Sequence, residues 1–168
     1  MVNNVFIALG SNKGDRYRYI ADAIKRICNN DQCSLIAVSS IYETTPYGEV
    51  KQENFFNAVI EIETSFSLID LFRFVKEVEF KVGRKETVLR WGPREIDVDI
   101  IFYNNLIYGS DILTVPHKDC LKRDFVMTPL IEIADHFVHP MLNIRLNEID
   151  ISKMEKHIIR KLDYSYNR

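Results

Sequence analysis

The chain has 168 residues, a hydrophobic fraction of 46% and a formal net charge of -2. That suits one globular domain over residues 1–168 and excludes a disordered or globally basic chain, so any phosphate or nucleic-acid site must be a local patch. Residues 1–9 lack the regions of a signal peptide, no apolar run reaches membrane-spanning length, and Cys28, Cys33 and Cys120 lack metal-type spacing, so a cytoplasmic protein with reduced thiols is expected.

The apolar run 5–9 stops at Gly10-Ser11-Asn12, which predicts a buried strand and a turn. Asp15 is placed to cap a helix reaching about Cys28, because Ile20, Ala23, Ile24 and Ile27 recur at three- and four-residue spacing. Residues 34–42 predict a second strand. Residues 43–54, with Pro46 and Gly48, predict a loop. Residues 55–63 predict a third strand, in which Asn57 interrupts the apolar start and needs partners if buried. Ser67 caps a second helix, with Asp70 at the capping-box position. Leu68, Leu71, Phe72, Val75, Val78 and Val82 form its buried stripe, and Gly83 closes it.

Residues 84–94 form a basic loop carrying Arg84, Lys85, Arg90 and Arg94; Gly92-Pro93 cannot lie inside a helix or a central strand. Residues 96–103 predict a fourth strand, then a turn at Asn104-Asn105 and a short return strand over 106–108. Residues 113–117 end in a loop at His117. Residues 121–125 read as one helical turn and 129–134 as another. Met154, Ile158, Ile159 and Leu162 predict a terminal helix. The order β-α-β-β-α-β predicts the α+β class: a ferredoxin-like antiparallel sheet with two helices on one face and extra C-terminal elements.

The chemistry concentrates at residues 90–100. Ile96, Val98 and Ile100 alternate with Asp97 and Asp99, so the two carboxylates share one strand face. Carboxylates this close repel unless a cation lies between them, and hard oxygen donors suit Mg²⁺. The upstream arginines suit phosphate oxygens. Cations beside a carboxylate pair suggest phosphoryl transfer.

The run Arg90-Trp91-Gly92-Pro93-Arg94-Glu95-Ile96-Asp97-Val98-Asp99-Ile100 resembles the signature of the 6-hydroxymethyl-7,8-dihydropterin pyrophosphokinase family of folate biosynthesis. Gly10-Ser11-Asn12, Thr45-Pro46-Tyr47-Gly48, Val115-Pro116-His117, Arg123 with Phe125, and His139-Pro140 resemble it too. The resemblance implies diphosphate transfer from ATP to a reduced pterin, with two Mg²⁺ ions on Asp97 and Asp99. It implies phosphate contacts from Arg84, Arg90 and Arg94. Phe55, Asn57 and Phe125, with Thr44, Thr45 and Tyr47, would take the pterin. Trp91, Ile100, Thr114, His117 and Arg123 would take the nucleotide. Phe55, Glu86 and Lys118 depart from the family pattern. A monomer without nucleic-acid or membrane partners is expected. Two other readings stand beside it: a two-metal nucleotidyltransferase using Gly10-Ser11 with Asp97, and an RNA-binding domain stacking bases on its sheet.

Overall fold

The structure is a computed structural model describing residues 2–48, 51–85, 92–163 and 166. Strand β1 covers Asn3–Ser11 and helix α1 covers Arg16–Cys28. Asp15 caps α1 as expected, its carboxylate accepting from the Arg18 N–H at 3.0 Å. The second predicted strand divides into β2, Cys33–Val38, and β3, Tyr42–Thr44. Ser39 marks the break. Its N–H donates to the Val59 carbonyl, and its hydroxyl accepts from the Val59 N–H. A side-chain bond here replaces a ladder bond and lets the chain jog. Strand β4 covers Phe55–Thr64 and pairs with both β2 and β3.

Helix α2 covers Leu68–Val82, capped by Ser67 and closed by Gly83 at φ +120°, a conformation that side chains disfavour. Strand β5 covers Asp97–Tyr103. The short return strand is not at 106–108: β6, Tyr108–Gly109, pairs with β7, Thr114–Val115.

The strands lie in the order β5-β1-β4-β3, and β3 also pairs with β8, Ile158–Lys161. All pairings within this sheet are antiparallel. This is the expected ferredoxin-like order. One face, with Val5, Ile7, Ile60, Ile62, Val98 and Ile100, packs on α1 and α2. The opposite face, with Phe6, Val59, Ile101 and Phe102, packs on a third helix, α3, Asp124–Ala134. A bulge at Ile101 makes this possible: Ile7 pairs with Ile100 and Phe6 with Phe102.

Two expectations are corrected. The separate turns at 121–125 and 129–134 are a 3₁₀ turn, Cys120–Lys122, and the continuous helix α3. Pro129 lies inside α3 and forgoes one main-chain bond; burial of Val126, Met127, Leu130 and Ala134 holds the helix across it. The predicted terminal helix is absent among the described residues. Residues 146–162 hold two 3₁₀ turns and then β8, an edge strand whose partner β3 lies far away in sequence. No described helix is long and apolar enough to cross a membrane.

Candidate active site

The register of the sheet builds the site. Asp97 pairs with Gly10, and Asp99 with Ala8, so both carboxylates emerge beside the end of β1. Arg84 Nη1 lies 2.6 Å from Asp97 Oδ1, and Arg94 Nε lies 3.0 Å from Asp97 Oδ2. The second contact is an ion pair without a hydrogen bond at Nε. Lys76 Nζ donates to Asp99 Oδ1 at 3.1 Å. Behind them Glu79, 4% exposed, accepts from Lys76, Arg84 and the Val98 N–H. One buried carboxylate thus holds two cations of the site and the strand that carries the aspartates.

The pair is electrostatically unequal. Burial and the neighbouring Asp99 push the Asp97 carboxyl up to about 6, against the pull of Arg94 and Arg84. Burial also works against the Asp99 charge, but Lys76, His117 and Arg84 hold that group below the ordinary carboxylate range. Burial and the charge of Arg123 keep His117 below the usual imidazole value, against Asp99. His117 Nδ1 accepts from the Asp119 N–H, so the neutral ring carries its proton on Nε2.

An apolar-walled pocket opens on one side of the carboxylates. Thr44, Thr45, Tyr47, Phe55, Asn57 and Phe125 line it, together with Arg94, Asp97, Asp99 and Arg123. The structure therefore gathers all six residues expected at the pterin. Asn57 Nδ2 donates to Thr44 Oγ1 at 2.7 Å, which fixes the amide. Gly10 makes room for it: a Cβ there would stand 2.9 Å from Asn57 Oδ1. The Arg123 guanidinium lies 5.2 Å from the Tyr47 ring centre and 5.8 Å from that of Phe125.

A cleft opens on the other side. Ile100, Thr114 and His117, three of the residues expected at the nucleotide, line it with Phe72, Lys76 and Asp99. Between cleft and pocket lies an open basin of Lys76, Arg84, Arg94, Asp97, Asp99, His117 and Arg123. Arg90 and Trp91 fall outside the described residues, as does Glu86.

Three residues escape a reading by sequence pattern. Lys76 and Glu79 look like ordinary helix charges. Asn12 looks like a turn residue, yet its main chain and side chain exchange bonds with Arg94, and its Nδ2 donates to Gln52 Oε1 at 2.8 Å. It joins the ends of the two loops that flank the site. The signals in the sequence are its place at the end of the first strand and in the Gly10-Ser11-Asn12 run.

These features define a class: an α+β protein whose site sets a carboxylate pair and a ring of cations between an aromatic-walled pocket and a cleft. Residues 6–135 match the 7,8-dihydro-6-hydroxymethylpterin-pyrophosphokinase (HPPK) family, and the chain belongs to that family. It is 41% identical over 150 residues to the folic acid synthesis protein FOL1 of Dictyostelium discoideum, covering 89% of this chain and 22% of that one. It is 40% identical over 144 residues to the 2-amino-4-hydroxy-6-hydroxymethyldihydropteridine pyrophosphokinase of Aquifex aeolicus, covering 86% of this chain and 88% of that one. The fold is shared with Plasmodium falciparum HPPK-DHPS solved with pterin and p-hydroxybenzoate, at a TM-score of 0.68 and 15% identity, over 89% of this chain and 41% of that one. The chain thus spans less than half the length of FOL1 and of HPPK-DHPS, and most of the Aquifex protein.

Proposed function

We propose that the chain is one catalytic domain that moves diphosphate from ATP to the hydroxymethyl group of 6-hydroxymethyl-7,8-dihydropterin, in folate synthesis. The hydroxyl oxygen attacks the β-phosphorus. The bond from that phosphorus to the oxygen bridging to the α-phosphate breaks. AMP leaves with that oxygen, the hydroxyl proton is released, and the pterin diphosphate remains. The family match supports the reaction. The observation that carries the assignment to this site is that Asp97 and Asp99 border both the aromatic-walled pocket and the cationic basin.

On this reading Phe55 and Phe125 hold the two faces of the ring. Asn57 and the backbone of Thr44 and Thr45 read its edge. Arg84 and Arg94, with Arg90 by the family motif, meet phosphate oxygens. Ile100, Thr114, His117 and Arg123, with Trp91, hold the nucleotide. His117, neutral with its proton on Nε2, can donate to a phosphate oxygen as well. No side chain is assigned as general base, because a loose phosphoryl transition state depends on positioning and charge.

Asp97 and Asp99 would hold two Mg²⁺ ions. The residues fit: the Asp97 and Asp99 carboxylates emerge on one strand face and border the open basin together. Two carboxylates with phosphate oxygens and water make the donor set that Mg²⁺ takes. When bound, the ions neutralise the triphosphate and activate its β-phosphorus.

Helix α3 covers the sheet face that an RNA-binding domain would use for stacking, which disfavours that reading. The register does bring Gly10 opposite Asp97, but the family match speaks for diphosphate rather than nucleotidyl transfer. A cytoplasmic setting fits the three free cysteines. The deciding experiment is product analysis with ATP, Mg²⁺ and the hydroxymethyl-dihydropterin. AMP should form in step with the pterin diphosphate; stoichiometric ADP would overturn the assignment.

A further inference from the structure

The segment after residue 135 lies beyond the family match, yet it touches residues that line the pocket. Strand β8 lies along β3, with Ile158 opposite Thr44. Just before it, His157 is 6% exposed. It holds Thr45 at two points. The His157 carbonyl accepts from the Thr45 N–H at 2.9 Å, and His157 Nδ1 lies 2.9 Å from Thr45 Oγ1. The imidazole also packs on the aromatics that border the pocket, 5.5 Å from Tyr47 and edge-on at 5.6 Å from Phe125.

His157 is itself anchored. The N–H groups of His157 and Ile158 both donate to Asp124 Oδ2, at 3.0 and 3.2 Å. Asp124 precedes Phe125 at the start of α3, so one carboxylate ties β8 to the helix that presents the aromatic. His157 Nε2 makes no hydrogen bond, and the Glu155 carboxylate stands 3.5 Å from it. Nδ1 and the Thr45 hydroxyl share one hydrogen bond, each able to donate or accept with the tautomer of the ring.

We infer that His157 is a positioning residue of the pterin site, through which the C-terminal strand sets the Thr44-Thr45 backbone and the Tyr47 and Phe125 rings. This rests on the reading of the pocket as the pterin site. His157 does not line the pocket; it acts through the residues that do. A pocket whose edge-reading backbone is already held loses less freedom on binding. His157 and the start of β8 thus stand behind the residues that line the pocket.

The test measures pterin and a non-hydrolysable ATP analogue separately, by calorimetry on the whole chain, with thermal melts alongside. His157→Ala should weaken pterin binding about tenfold and leave the binary affinity for the ATP analogue at the parent value. His157→Asn, whose amide reaches the Nδ1 position, should recover most of the loss. Parent-like pterin affinity in His157→Ala overturns the proposal while the pocket assignment stands. So does His157→Asn that folds and yet binds like His157→Ala, or an equal loss for both ligands. If the parent itself binds no pterin, the pocket assignment falls and the proposal with it. Should His157→Ala not fold, Thr45→Ser and Thr45→Val decide. The serine keeps the hydroxyl that meets Nδ1 and should bind pterin several-fold more tightly than the valine; equal affinities overturn the proposal.

Discussion

The aromatic-walled pocket and the cationic basin share two aspartates but are built in opposite ways. In the pocket, polar groups satisfy one another within the protein: Asn57 bonds Thr44, and Thr45 bonds His157. These bonds are made before a ring enters. In the basin, the cations are bound to carboxylates. Arg84 meets Asp97 and Glu79, and Lys76 meets Asp99 and Glu79. A polyphosphate arriving there must exchange these contacts for its own. Ring affinity therefore depends on preformed shape, whereas polyphosphate affinity depends on a difference between two sets of ion pairs. Changes in the pocket should act on binding, and changes in the basin on turnover.

The sharpest way to break this contrast is to neutralise the aspartates. Asp97→Asn and Asp99→Asn should each reduce AMP release by roughly 10²- to 10³-fold, on the scale of a lost transition-state charge partner. Near-parent turnover in either would reduce the pair to a solvated strand face. Their melts should diverge. Asp97→Asn holds or raises Tm, because that charge sits against burial and a like neighbour. Asp99→Asn lowers it, because Lys76 loses a partner.

The next effect lies in the pocket. Asn57→Ala and Phe125→Ala should weaken pterin binding by roughly 10- to 100-fold, as expected for a stacking face or a buried bond of about 1–3 kcal/mol. Binding of an ATP analogue alone should stay at the parent value; equal loss of both ligands would erase the division. Phe55→Ala is a less clean probe, since Phe55 is 9% exposed and its truncation should also cost about 3 kcal/mol of stability. Gly10→Ala is subtler. Its methyl would push on the Asn57 amide and should weaken pterin binding about tenfold with the melt little changed. Unchanged affinity would show that Asn57 has room to move.

The smallest effect is in the apo protein as pH changes. Folding lifts the Asp97 carboxyl to about 6 from the ordinary 3.8. Between these values the folded chain binds more protons than the unfolded one, so this group's contribution to stability grows as pH falls. Asparagine has no such term. The Tm advantage of Asp97→Asn over the parent, measured with chelator present, should therefore be widest at pH 7–8 and close as pH drops through 6 towards 4. A gap that widens on acidification would reverse the assigned direction.

Much of this was legible because its causes are local. Asp15, Ser67 and Gly83 mark helix ends by direct contact with nearby main chain, and the alternation at 96–100 places both aspartates on one face. What escaped is long-range. Asn12 meets Arg94, Glu79 looks like a surface charge until β5 buries it, and β8 pairs with a strand more than a hundred residues earlier. Pro129 lies inside α3 although proline disfavours helix interiors, because burial of the residues around it outweighs the local rule.

The bulge at Ile101 gives β5 two reading frames. Before it, odd-numbered residues face the site and even-numbered ones face α1 and α2; after it, Phe102 faces α3 and Tyr103 turns to the first core. A one-residue deletion between Asp97 and the bulge would rotate a carboxylate into that first core. The same deletion beyond Ile101 would scramble packing under α3 and leave both aspartates where they are. The strand can thus vary its packing end and its chemical end independently.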